Sequence, residues 1–208
     1  MSRIHPVLRK TSPYLEQQFG SAAAQTVLDF AQAEYKHLCQ QHAGDPKAVR
    51  THTESQIYPC VSLYRGLHHA GIGRQEAVAF LDKTWSLMAQ PNAAVIRAIC
   101  RIPGFYRLMP RIFRSITLNT FGEAAGFKAT FYPTGNDRVK FDMTQCLYCD
   151  TCRKLGCPEL VPCFCHTDDV TDGNMHPRLC WNRTKIMGDG GDCCDFDLFI
   201  TEKKTDRA

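Results

Sequence analysis

Nine of the chain's twelve cysteines fall between Cys146 and Cys194. Thiols that dense are cross-linked, bound to metal, or kept reduced for chemistry. The first group is Cys146-x2-Cys149-x2-Cys152-x4-Cys157-Pro158. It has one residue more before its last cysteine than the C-x2-C-x2-C-x3-C-P run that wraps an iron–sulfur cluster. The same segment reads as a short helix, which points Cys146 and Cys149 together and turns Cys152 away. Three readings stay open: a 4Fe-4S cluster on Cys146, Cys149, Cys152 and Cys157, a zinc site from some of these thiols, or thiols without a metal.

The second group is Cys163-Phe-Cys165-His166-Thr-Asp168-Asp169. It offers a nucleophile, a base and an acid, or equally a set of metal ligands. A thiol beside an imidazole is more readily ionised than a free one. A polar loop with a buried structural cysteine is the alternative. The third group runs from Arg183 through Gly190-Gly191-Asp192-Cys193-Cys194-Asp195-Phe196. Its glycines permit a tight turn or close backbone approach to a ligand. It is no phosphate loop, because the lysine and hydroxyl after the second glycine are missing. Cys193 and Cys194 are neighbours entering a strand, so only one faces a pocket. Arg183 can clamp a carboxylate with its planar fork or sit in a surface ion pair.

Elements must bring these groups together. The first half reads helical, over 21–42, 53–70, 74–89, 92–101 and 105–118. Pro59 is tolerable only near a first turn. The second half alternates apolar and polar residues over 127–132, 138–143 and 195–200. The first two runs flank Pro133-Thr-Gly-Asn-Asp and predict a hairpin. Between the hairpin and the last strand lies a short helix near 146–156, followed by cysteine-rich loops. This is an α+β pattern: a helical N-terminal half, then an antiparallel sheet with Cys-rich loops. One domain is expected over 1–208, helical to 120, strand- and Cys-rich over 121–202, with a tail from 203 to 208. His68-His69 reads as a charged helix end, and Trp85 and Trp181 as core or pocket wall.

Composition narrows the classes. A net charge of +4 and scattered cations argue against nucleic-acid binding. The cluster Arg97, Arg101, Arg107, Arg111, Arg114 reads as a solvated helix face, or as a mouth for an anionic small substrate. The start shows no apolar signal region, and no run suits a membrane span. A cytoplasmic protein with reduced thiols is expected, acting on a small molecule. No nucleic-acid or membrane partner is expected, and a homo-oligomer is compatible.

The residues also carry a resemblance. Val139-Lys-Phe-Asp-Met-Thr-Gln-Cys146, Leu155-Gly156-x-Pro158-Glu159-Leu160, Cys165-x-x-Asp168, Arg183-Thr and Gly190-Gly191-Asp192-x-Cys194-Asp195-Phe196 together resemble the L-2-amino-thiazoline-4-carboxylic acid hydrolase family. The likeness spans roughly residues 130 to 200 and is looser over Tyr64 to Glu76. It implies hydrolytic opening of a thiazoline ring to N-carbamoyl-cysteine. It further implies attacking or metal-binding thiols at Cys146, Cys165 and Cys194, with Asp168 carrying protons. Arg183 would hold the substrate carboxylate, and Gly190, Gly191 and Asp195 would border it. Six further cysteines depart from the family pattern: Cys149, Cys152, Cys157, Cys163, Cys180 and Cys193. The final strand is also similar to vinyl-reductase-type ligand-binding domains, which implies a zinc-holding sensor or carrier instead of an enzyme.

Overall fold

The computed structural model describes residues 4–202. Expectations about the chain start and the 203–208 tail concern residues outside that range in whole or in part. The architecture is α+β. Eight α-helices precede or interleave with four strands: α1 Pro6–Phe19, α2 Ser21–Gln41, α3 Lys47–His52, α4 Tyr58–His69, α5 Arg74–Cys100, α6 Met109–Thr120, β1 Lys128–Phe131, β2 Arg138–Gln145, α7 Leu147–Lys154, α8 Val161–Asp172, β3 Leu179–Asn182 and β4 Cys194–Ile200.

Helix α1 lies in the part expected to be helical, in a stretch where no separate helix was read, and Pro13 interrupts its apolar pattern. Its burial of Leu8, Thr11 and Leu15 against the bundle overrides that interruption. Helix α4 packs on α2 so closely that a β-carbon at Gly66 would stand 2.7 Å from the Val27 carbonyl oxygen. A π-turn over Thr53–Ile57 joins α3 to α4 and leaves Pro59 in the first turn of α4, where its missing N–H costs least. The two helices expected over 74–101 are one. Pro91 lies inside α5, and it is exposed, so the freed Leu87 carbonyl can meet water instead of breaking the helix.

The sheet is antiparallel with order β1-β2-β4-β3. The expected hairpin is present, and the last strand pairs with β2, setting Phe141 opposite Phe196 and Met143 opposite Cys194. Phe141, Phe196 and Trp181 form an aromatic face against Phe113 of α6. The short edge strand β3 was missed, being only four residues long. Buried Asp197 is paired by Arg138 across the sheet, Nε to Oδ1 at 2.8 Å. Helix α8 occupies a stretch expected to be loop, and it packs along α5. No described helix is long and apolar enough to cross a membrane.

Candidate active site

Three elements end or pass beside one cluster of partly exposed thiols and carboxylates, here called the recess. Strand β2 stops at Gln145, and the chain turns at Cys146 into α7. Helix α8 carries Cys165, Asp168 and Asp172 at three-to-four spacing, so they share one face. Strand β4 begins at Cys194. Cys146, Cys165, Cys194 and Asp168 thus come from segments far apart in sequence into electrostatic reach of one another. Cys146, Tyr148, Cys165, Asp168 and Asp172 are crowded by protein, yet all keep intermediate accessibility. Asp168 shows this most clearly. Its carboxylate meets Arg183, and 44% of its side-chain surface still reaches solvent.

The thiols differ in acidity for physical reasons. The S–H of Cys149 donates toward Cys146, and the backbone N–H groups of Tyr148 and Cys149 face its sulfur, which together lower its pKa against the cost of burial. These N–H groups lie near without closing a full capping hydrogen bond. Cys165 moves the other way, through burial and the neighbouring Asp168 carboxylate. Burial raises Cys194 to about 11, although the Met187 N–H donates to its sulfur at 3.3 Å. Cys146 is therefore the readiest thiolate in the recess. Cys193, the chain neighbour of Cys194, faces Asp192, Lys185 and Asp142 instead.

The carboxylates are proton-holding groups. Burial raises Asp168 to about 6, opposed by Arg183. Burial and the Asp168 charge raise Asp172 to about 8. Asp172 was not expected; the signal available was its i+4 spacing from Asp168. Tyr148 was also missed. Its ring packs on Phe164 at 4.9 Å, and its hydroxyl lies 3.4 Å from His52 Nδ1.

Arg183 holds the site together from behind. Its side chain is 1% exposed. Its guanidinium donates to Asp168 Oδ2 at 3.1 Å, to Asp169 Oδ2 at 2.7 Å and to the Cys165 carbonyl at 2.9 Å. It lies over the Trp181 and Phe196 rings, while its Nε has no partner. In this state Arg183 ties α8 to the sheet, and its fork faces protein carboxylates.

Asp195 likewise turns to the protein, accepting from the Thr184 N–H at 2.8 Å and the Lys185 N–H at 2.5 Å. Gly190 takes φ 90°, and Gly191 donates to Ile186 O at 2.9 Å, closing the loop above α8. A β-carbon at Gly188 would press on Cys165 Sγ at 3.1 Å. These residues hold the loop that carries the Met187 N–H to Cys194.

The four metal candidates do not gather. Cys146 interacts with Cys149, and Cys152 with Cys157, one turn further along. Among the described residues no group of three or more His, Cys, Asp or Glu is arranged to hold a metal ion. Cys152, Cys157, Cys163 and Cys60 are instead buried in the core. Cys163 and His166 occupy a different face of α8, on a groove of about 580 Å³. His166 Nδ1 lies 2.7 Å from Asp82 Oδ1 there.

Compared with known proteins, residues 50–198 match the family model described as L-2-amino-thiazoline-4-carboxylic acid hydrolase. The match runs from α3 into β4 and contains every residue of the recess. No curated protein matches the chain. Among solved structures, the NMR structure of an H-NOX domain from Shewanella oneidensis in the Fe(II)CO ligation state aligns with 98% of this chain and 100% of its own, at 12% identity and TM-score 0.39. A crystal structure of a mutant H-NOX protein from S. oneidensis in the Fe(II) ligation state aligns with 97% of this chain and 98% of its own, also at 12% identity and TM-score 0.39. A score that low relates neither the folds nor the functions.

Proposed function

Because the chain belongs to the L-2-amino-thiazoline-4-carboxylic acid hydrolase family, we propose that it opens a small cyclic C–N/C–S substrate such as 2-amino-thiazoline-4-carboxylate, giving N-carbamoyl-cysteine. The observation that carries this reading is the meeting of an acidified thiol, Cys146, with two proton-holding carboxylates, Asp168 and Asp172, in one recess.

The chemistry follows from the order of these pKa shifts. The Cys146 thiolate attacks the amidine-like ring carbon between sulfur and nitrogen. The ring carbon–sulfur bond breaks, and the departing sulfur takes a proton from Asp172, which is protonated at neutral pH. This leaves an isothiourea on Cys146. Water then attacks the same carbon and gives a proton to Asp168, the bond to Cys146 breaks and the thiolate returns, and Asp168 passes its proton to the neighbouring Asp172 carboxylate, which restores both groups. The net change is one water added across the carbon–sulfur bond. Cys165 and Cys194 stay as neutral thiols lining the recess. The Arg183 Nε, buried without a partner, supports a role in meeting the substrate carboxylate if Asp168 or Asp169 yields.

The test is turnover of 2-amino-thiazoline-4-carboxylate by the purified, reduced protein, followed by chromatography of N-carbamoyl-cysteine. Full activity in Cys146→Ala and in Asp168→Asn would show that the chemistry lies elsewhere. No turnover of this substrate or its ring analogues by the native chain overturns the hydrolase reading itself.

A further inference from the structure

The stretch from Lys83 to Gly122 carries six cations, Lys83, Arg97, Arg101, Arg107, Arg111 and Arg114, and no carboxylate. The whole chain is only +4, so the rest of it is net negative. None of the five arginines forms an ion pair among the described residues. Arg107 meets only the Tyr106 hydroxyl and ring, and Arg114 lies over the Phe131 ring. Seven of the nine large apolar side chains exposed among the described residues fall in this same stretch. The recess chemistry uses none of these residues.

They are densest at the corner between α5 and α6. Arg101, Ile102, Pro103 and Gly104 are all exposed. Ile102 is 55% exposed, Leu108 45% and Ile99 38%. Backbone bonds from Ile102 N–H to Ile99 O at 3.1 Å and from Phe105 N–H to Ile102 O at 3.0 Å keep the corner folded. Ile99, Ile102 and Leu108 border neither the groove at Asp82 and His166 nor the one at Arg114 and Phe131.

Charge and shape select the partner. Nucleic acid would use the arginines and leave the isoleucines in water. A second copy of this chain would set arginine against arginine. An anionic bilayer surface satisfies both features: phosphates meet the guanidiniums, and apolar side chains enter the boundary between headgroup and acyl chain. We propose that the α5–α6 corner docks on an anionic lipid surface, with Ile99, Ile102 and Leu108 inserted and Arg101, Arg107 and Arg111 at the phosphates. The expectation of no membrane partner rested on the lack of a spanning segment, which surface docking does not need.

The experiment is co-sedimentation of the purified full chain with phosphatidylcholine vesicles, with and without roughly a third of phosphatidylglycerol. Binding is expected only with phosphatidylglycerol, and it falls as salt rises. Ile102→Asp and the pair Arg101→Glu/Arg111→Glu are each expected to weaken it about tenfold or more. Circular dichroism checks the fold, with Ile99→Ser as a milder substitute for any variant that unfolds. No binding to anionic vesicles, equal binding to neutral ones, or indifference to all these variants overturns the proposal. So does equally tight binding to duplex DNA that Ile102→Asp leaves unchanged, or a dimer in light scattering that Ile102→Asp dissociates.

Discussion

Cys163 and Cys165 stand two residues apart on α8 and lie in different chemistry. Cys165 turns to the recess, beside Asp168, Cys194 and Cys146. Cys163 turns into the core toward α5, is 0% exposed, and is pushed up to about 12 by burial and Asp82. The other thiols sort in the same way. Cys60, Cys152 and Cys157 join Cys163 as packed, apolar groups. Cys152 donates toward Cys157, and that donation, with Arg65 nearby, lowers the Cys157 pKa, but Cys157 is 2% exposed and no substrate reaches it. Cysteine density therefore does not mark the site. What marks it is a thiol that combines partial access, a stabilised thiolate and carboxylates within reach.

The largest expected difference between the two groups is catalytic. Cys146→Ala is expected to cut kcat for ring opening by roughly a thousandfold or more, as loss of a nucleophile does. Cys152→Ala is expected to leave kcat within about twofold and to lower stability by about 1–2 kcal/mol through the cavity it opens. Steady-state kinetics and thermal melts on both variants read the contrast. Comparable activity in the two would erase the division. Next in size is Arg183→Ala, which removes a buried guanidinium from two partly solvated carboxylates and from the Trp181 and Phe196 rings, and should cost about 2 kcal/mol, seen as a fall in Tm of roughly 5 °C.

The same division explains what the sequence could and could not tell. Strands β2 and β4 were legible because Val139, Phe141 and Met143 alternate like Phe196 and Leu198, but their pairing with each other was not. The positions Cys146, Cys165, Cys194, Asp168 and Arg183 were legible through their spacing pattern, and the structure brings them together. Their individual duties were not. Arg183 reads as a substrate clamp, and in the structure its fork holds Asp168 and Asp169. Asp195 reads as bordering the substrate, and in the structure it ties Thr184 and Lys185. Which way a side chain turns depends on tertiary partners, here α8 against β4. Helix α8 itself was hidden because its cysteines and aspartates carry little helical preference, and packing along α5 supplies what propensity lacks.

The recess also sets a pH dependence that the packed thiols do not share. Asp168, at about 6, and Asp172, at about 8, hold protons more tightly folded than unfolded. Between the ordinary aspartate range and about 8 the folded chain therefore binds more protons, and its stability falls as pH rises through that window. Solvent access to Asp168 limits the effect, so a decline in Tm of about 3 °C between acid and mildly alkaline buffer is expected. Asp172→Asn should flatten the decline above neutrality. Activity should fall toward acid as Asp168 is protonated and above about 8 as Asp172 loses its proton. The profile reports the pair jointly.

The smallest expected effect is the sharpest check on the two faces of α8. His166 lies one residue from Cys165, and adjacency alone would make it the base for that thiol. Its Nδ1 instead faces Asp82 of α5 across the groove, at 2.7 Å and away from the recess. His166→Ala should therefore change kcat and KM for ring opening by less than about twofold and lower stability by no more than about 1 kcal/mol, the worth of an exposed pair. A loss of a hundredfold in kcat, without unfolding, would put the imidazole in the reaction. The chemistry would then move to the groove beside Asp82.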